Sequence, residues 1–423
     1  MLTNKKVQYF WVILLGVAVI ILLIHQGKAV AQRTPAKDGK ILRIGELAGL
    51  TGGIAPYGIQ LHNARLLAIE EINNKGGVVV GNVPYKIELV HLDAGGAPAE
   101  SIKVLERLIT IEKLKFILDG ASSSAEYALA PILKAKEVIM IWSGGNDPDT
   151  TVGIPNAFRN HFDGGKPFVK VNELFLNKMK IKKISTYGQT GHSDFKRLVE
   201  EYLPKVAGFQ VLSTDWYPFG EKDYFPILTK IKTLKPDAVL AHGFFTDAVP
   251  MLKQAREIKL FPGVLWLNQY AAAPLMMDKP SRQVFDGTYE ILVSSFGATS
   301  DPPAKSKKFF DAYGKKFGET GFGGWAEPGY DSVYILAKAL EKAGTVDGLP
   351  KIIGALHDLR TEEIPELLQP YMPGKNLRRR RPGLPENCSG RVEGRKTSSC
   401  IFRLRAMIEF YYGGISLTPA ISC

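Results

Sequence analysis

No cysteine precedes Cys388, and the three that occur, Cys388, Cys400 and Cys423, fall close together. None forms a C-x-x-C pair, which argues against a zinc site, and an odd number leaves at least one thiol unpaired in an exported chain. Histidine is also scarce: there are seven, none at metal-ligating spacing and none in an H-E-x-x-H pattern. No metal and no other cofactor is expected. Catalytic signatures are missing as well. There is no G-x-S-x-G elbow and no Walker loop, and the glycines between 318 and 324 do not follow a strand. The chain is therefore not expected to be an enzyme. A serine esterase or amidase stays as a remote alternative, because a serine at a helix start needs a base that the sequence does not signal.

What is present describes a folded protein of two parts. With 423 residues, 45% apolar and 23% charged, the chain is too long for one ordinary core and too apolar for disorder. A formal charge of +12 would by itself raise nucleic acid as a partner. From Glu363 to Cys423, however, ten Lys and Arg stand against five Asp and Glu, so five of the twelve net charges lie in that tail. Elsewhere the charges are mixed in sign, which is a solvated surface and not a phosphate-tracking stripe, and no nucleic acid partner is expected.

At the N-terminus, Lys5-Lys6 precedes an apolar run from Tyr9 to Ile24, and Ala29-Val30-Ala31 follows before Gln32. A basic start, an apolar segment slightly short for a bilayer span and an A-x-A site describe a cleaved secretory signal over residues 1–31; an uncleaved membrane anchor is the alternative. No cysteine follows the run, so no lipid-modified N-terminus is expected.

From residue 41 onward, apolar runs alternate with stretches at helical spacing. Strands are expected at 41–47, 85–92, 115–118 and 138–142, with helices at 59–73 and 98–114. A second series has strands at 183–187, 209–214, 238–245, 263–269 and 287–293, and helices at 167–179, 194–206 and 224–233. Helices at 304–317 and 328–343 come last. Such alternation gives parallel sheets covered on both faces by right-handed crossovers. The fold class is α/β, with two doubly wound parallel-sheet lobes joined by a multi-strand hinge: the first over 41–160, the second over 161–293, and 294–355 returning to the first. Ligands in open α/β sheets sit at the carboxyl ends of strands, so two facing sheets would clamp a small molecule.

One such strand end stands out. Phe116-Ile117-Leu118-Asp119-Gly120 is a buried strand that stops at Asp-Gly, and Ala121-Ser122-Ser123-Ser124 follows where the next helix begins. The first N–H groups of a helix lack internal partners and its dipole is positive there, so amides and hydroxyls can hold a carboxylate without a charged side chain. The bland alternative is a serine that only caps its own helix. Tyr57 is a further candidate, since it stands in a glycine-rich loop where packing alone rarely asks for an aromatic. His192 follows a strand end in the second lobe, and Trp325 is a candidate for lining the cleft. Phe244 and Phe245, at another strand end, should point opposite ways, one to the cleft and one to the core. Asp147 is either a cap or a ligand contact.

Several separated motifs in order resemble the periplasmic branched-chain amino acid-binding proteins, the substrate-binding subunits of ABC importers. They are Ile44-Gly45, Leu50-Thr51-Gly52 with Tyr57-Gly58, Glu71-Ile72-Asn73-Asn74-Lys75-Gly76-Gly77, Gly120-Ala121-Ser122-Ser123-Ser124 and Gly220-Glu221-Lys222-Asp223-Tyr224. The resemblance covers roughly Ile41 to Leu359. It implies a type I periplasmic binding fold, a periplasmic location, lobes that close on a ligand, and docking on an inner-membrane ABC permease. Within it, Ser122 and Ser123 belong to the turn that holds the ligand carboxylate, with Gly145 and Asn146 in the second loop and Tyr57 at the mouth. His192 stands near a position where the family has Tyr, and Phe244 or Phe245 near an aromatic one. Where the family meets the ligand's amino group with Glu, this chain has Asn268-Gln269. The resemblance thus implies a branched-chain or other apolar amino acid. The missing Glu leaves two other outcomes: Asp147 substitutes, or the ligand is an aromatic or aliphatic acid, or an amide.

Beyond about Thr361 the resemblance is expected to stop. Arg378-Arg379-Arg380-Arg381-Pro382 leads into the cysteines, an abrupt change that reads either as a shift of reading frame or as a divergent basic tail over 361–423.

Overall fold

The computed structural model describes residues 40–161, 166–190, 192–205, 208–218, 220–269, 283–291, 304–318, 325–369, 410–412 and 415–416. The segment expected to be a signal, the three cysteines and the expected crossings between lobes near residues 162–165 and 292–303 lie outside them.

The first sheet contains β1 (Lys40–Ala48), β2 (Val78–Val80), β3 (Val83–Asp93), β4 (Phe116–Gly120), β5 (Ile139–Trp142) and β6 (Ala157–Arg159), in the order β2-β3-β1-β4-β5-β6. All its pairs are parallel except that between β2 and β3. The connections carry α1 (Ala55–Asn74), α2 (Pro98–Thr110) and α3 (Ser123–Ala135). Next in the chain come α4 (Lys166–Lys178), β7 (Lys183–Gln189), α5 (Ser193–Arg197), β8 (Gln210–Tyr217), α6 (Phe225–Leu234), β9 (Ala238–His242), α7 (Phe245–Glu257), β10 (Leu265–Gln269) and β11 (Tyr289–Ile291). Their sheet runs β8-β7-β9-β10-β11, all parallel, and is extended antiparallel by β12 (Phe410–Tyr412) and β13 (Ile415–Ser416). In each sheet the first strand of its parallel series lies between the second and the third. Strand order therefore reverses beside β1 and β4 in one sheet and beside β7 and β9 in the other, and their carboxyl ends are where such sheets bind ligands.

After the second sheet, α8 (Ala304–Phe317), α9 (Ala326–Ala343) and α10 (Leu349–Asp358) pack on the first. One core joins Leu42, Ile44, Phe116 and Ile139 to Val333, Leu336, Leu340 and Ile352. Fourteen of the eighteen residues of α9 are buried, which marks it as a helix packed on more than one side. The same core takes in Ile364, Leu367 and Leu368, and the N–H groups of Leu368 and Gln369 donate to the Asp331 carboxylate at 2.8 and 2.9 Å. The chain thus stays with the first lobe through residue 369, past the boundary expected at 361.

Three elements differ from expectation. The helix expected at 194–206 is α only to Arg197, then widens to a π turn (Leu198–Tyr202) and tightens to a 3-10 turn (Leu203–Lys205), where Pro204 has no N–H to give. The helix expected to reach 114 stops at Thr110, and Lys113 beyond it has φ of 56°. The strand expected through residue 245 ends at His242, and Phe245 opens α7, so alternation along a strand does not decide where the two phenylalanines point.

Candidate ligand-binding site

At the carboxyl end of β4 the backbone turns through Ala121 into Ser122, the N-cap of α3 with φ −76° and ψ 161°. Ser122 Oγ accepts the Ala125 N–H at 3.4 Å, a long bond, and lies 2.9 Å from Ser124 Oγ, while the Ser122 carbonyl accepts the Glu126 N–H at 3.0 Å. The first-turn amides of Ser123 and Ser124 have no carbonyl of their own helix in reach. Capping is therefore only part of what this turn can do.

Ser123 ties the turn to the loop after β5: its Oγ accepts the N–H groups of Asn146 at 3.0 Å and Asp147 at 3.2 Å. The Gly145 N–H donates to Glu126 Oε1 at 2.7 Å. Both loop glycines are there for space, since a Cβ on Gly144 would lie 2.1 Å from the Ala121 carbonyl oxygen and one on Gly145 2.4 Å from the Glu126 carboxyl. Beneath the turn, Asp119 Oδ1 accepts the Ala121 N–H at 2.9 Å. The fully buried Arg65 donates to the Asp119 carbonyl at 2.5 Å and pairs with Glu46 at 2.8 Å. Burial pushes the Asp119 carboxyl up to about 7; burial and the neighbouring Asp119 push Glu126 well above the usual carboxylate range. A proton held by this pair spares the seat a second negative charge behind it.

The facing wall comes from the second lobe. His192, after β7, packs at a tilt against His242 at the end of β9, 4.1 Å between ring centres, and stands edge-on to Phe244 at 5.0 Å. Burial lowers His192 to about 4, and burial together with His192 lowers His242 well below its ordinary value, so both rings are neutral at physiological pH. Tyr57, on α1 and 1% exposed, contacts Phe244 across the lobes at 5.1 Å and Trp325 at 4.8 Å. One cavity is lined by Ile54, Ser122, Ser123, Gly144, Gly145, Asn146, His192, His242, Gly243, Phe244 and Trp325. In this closed arrangement it measures about 20 Å³, room for a single water, so a larger solute enters only when the lobes part.

Of the residues singled out from sequence, Ser122, Ser123, Gly145, Asn146, His192 and Phe244 meet at this cavity, and Tyr57 packs on its aromatic side. Two lie elsewhere. Gln269 is fully buried and donates to Asn172 at 2.9 Å, behind the wall. Asp147, also fully buried, accepts from the Asp149 N–H at 3.0 Å, the Tyr127 hydroxyl at 3.0 Å and the Ser193 hydroxyl at 2.7 Å, and it pairs with Arg197, which also pairs with Asp149. Because Ser193 and Arg197 belong to α5 of the second lobe, Asp147 is the centre of a clasp between lobes. Sequence reasoning missed His242, Gly144 and Glu126; the Ala241-His242-Gly243 strand end was the available signal for the first.

The chain matches the periplasmic binding protein family over residues 41–389, past the point near 361 where the resemblance was expected to end. It is 26% identical over 342 residues to Leu/Ile/Val-binding protein homolog 7 of Brucella abortus, covering 77% of this chain and 83% of that one. Among solved structures, it is similar to the branched-chain amino acid transporter substrate-binding protein of Streptococcus pneumoniae in complex with isoleucine. That match has a TM-score of 0.65 and 24% identity, over 76% of this chain and 89% of that one. It is also similar to a solute-binding protein of an ABC transporter from Rhodopseudomonas palustris in complex with 3,4-dihydroxybenzoic acid, with a TM-score of 0.62 and 24% identity, over 74% and 84%. Two doubly wound sheets meeting at their switch points, a helix-start seat in the cleft and a family match over most of its length place this chain in the periplasmic binding protein family, whose members bind solutes for ABC transporters and are not enzymes.

Proposed function

We propose that the chain is the substrate-binding subunit of an ABC importer, exported on a cleaved N-terminal signal, and that it captures a small carboxylic acid with an apolar body and delivers it to an inner-membrane permease. The observation that carries this is the pairing, in one cavity, of the Ser122–Ser124 helix start with a wall made of Phe244, Trp325 and two neutral imidazoles. A carboxylate is stabilised at the first and an apolar body at the second. No Asp or Glu is among the described residues lining the cavity, and an ammonium enclosed there would keep an unpaired charge at a cost of several kcal/mol.

A second reading, a branched-chain amino acid, is favoured by the Brucella relative's name; the fold itself accommodates both isoleucine and a dihydroxybenzoic acid in its solved members. Titration calorimetry with leucine, isoleucine, valine, benzoate and hydroxybenzoates separates them. The first reading expects the aromatic acids to bind and the amino acids not to; the reverse result would replace it with the second.

A further inference from the structure

The carboxylate seat leaves the opposite wall of the cavity without a task. His192 is 9% exposed, lines the same cavity as Ser122, and its Nε2 is buried with no hydrogen-bond partner. Buried polar atoms are nearly always paired, so an orphan on a ligand-facing wall points to a partner brought from outside. We propose that His192 is the residue that sets specificity, its ring hydrogen-bonding a hydroxyl on an aromatic carboxylic acid whose carboxylate rests at Ser122–Ser124. This rests on the reading of the cleft as a carboxylate site and narrows it to one ligand class.

The ring is held in place before any ligand arrives. The backbone N–H of His192 donates to the Gln189 carbonyl at 3.3 Å, and its backbone carbonyl accepts the Lys196 N–H at 3.0 Å, which fixes the main chain that carries the ring. Its imidazole packs at a tilt against His242, which is backed in turn by Phe195 at 4.6 Å. The His242 carbonyl accepts the Tyr217 hydroxyl at 2.9 Å, which pins that strand end. A fixed ring of this kind selects by hydrogen-bond geometry and not by adapting to whatever enters.

The class of partner follows from what a neutral imidazole offers: one donor and one acceptor, their placement set by the tautomer. A hydroxyl both gives and takes a hydrogen bond, so it satisfies either tautomer. An ammonium or a second carboxylate would keep its full charge against two uncharged rings. Phe244 and Trp325, which line the cavity and are backed by Tyr57, suit an aromatic body between the two polar ends.

The test is titration calorimetry at pH 7.5 on the mature protein and on His192→Leu and His192→Gln, with benzoate, 3-hydroxybenzoate and 4-hydroxybenzoate as probes. Wild type is expected to bind one hydroxybenzoate roughly tenfold to a hundredfold more tightly than benzoate. His192→Leu removes that preference, the hydroxybenzoate losing more affinity than benzoate does, while His192→Gln, which keeps a donor and an acceptor, retains part of it. Should His192→Leu fail to fold, the wild-type preference and its partial retention in His192→Gln decide. Equal affinities in wild type, or an equal loss for all three acids in His192→Leu, overturn the role of His192 and leave the carboxylate reading standing. Binding of leucine with no response to any of the acids overturns both.

Discussion

Removing the Arg197 guanidinium should weaken ligand binding without touching the ligand. Arg197 pairs with Asp147 and Asp149, and its side chain is 21% exposed against 0% and 43% for those partners. The arm to Asp149 is near the surface and is worth about 0–1 kcal/mol. The arm to Asp147 is buried, where breaking a pair ordinarily costs about 3–5 kcal/mol. That figure is an upper bound here. Asp147 keeps the Ser193 and Tyr127 hydroxyls and the Asp149 amide, and in the open form water reaches it. A net loss of about 1–3 kcal/mol of closing free energy is reasonable. If the ligand-bound form keeps this clasp, the apparent Kd rises by the factor that the lost free energy sets, roughly 5-fold to 150-fold. Titration calorimetry of Arg197→Ala with an acid that binds wild type, at low and at high salt, measures this. Wild-type affinity should fall with salt more steeply than the variant's, since part of the clasp is screened. An Arg197→Ala affinity within twofold of wild type, with the same salt slope, would refute the clasp as a determinant of closure.

Other expectations concern the seat and the carboxyl pair under it. Ser122→Ala removes a hydroxyl from the seat and a long cap bond, and should weaken binding by about 1–3 kcal/mol while lowering Tm only slightly; an unchanged Kd counts against the seat. Gly145→Ala places a Cβ 2.4 Å from the Glu126 carboxyl and should displace the second loop, lowering both Tm and affinity, and thermal melts beside calorimetry will show it. Glu126 has its folded pKa raised above the unfolded one, so the stability it contributes is present below about pH 4.5 and is lost as pH rises through the folded value. Melting temperature should therefore decline with rising pH, and Glu126→Gln, which keeps an acceptor for the Gly145 N–H, should flatten that decline; an unaltered pH profile would show that Glu126 holds no such proton.

Local features were the legible ones. A buried strand ending in Asp-Gly and three serines marked the start of α3 from neighbours in sequence alone, and the strand end before His192 was legible in the same way, whereas the strand before Phe244 was read three residues too long. What depended on contacts distant in sequence was not readable. Asp147 fitted a ligand contact as well as a cap; it does cap the 3-10 turn at Pro148–Thr151, and Arg197, on a helix of the other lobe, pairs with the same carboxylate. Gln269 stood where the family resemblance put the amine contact, but it is not among the residues lining the cavity, and its amide N–H is given to Asn172. The return to the first lobe was expected over 294–355, and the buried contacts of Ile364 and Leu367, with the Asp331 carboxylate that receives the following amides, carry the packing further. Hydropathy does not reveal which polar group will meet which when both come from different lobes.

The most direct test is a crystal structure with the acid that binds most tightly in the calorimetric panel. A ligand carboxylate within about 3 Å of the Ser123 and Ser124 amides and the Ser122 hydroxyl, with its ring against Phe244, is the predicted result. A carboxylate turned toward the second lobe, or ligand density outside the cleft, would contradict it.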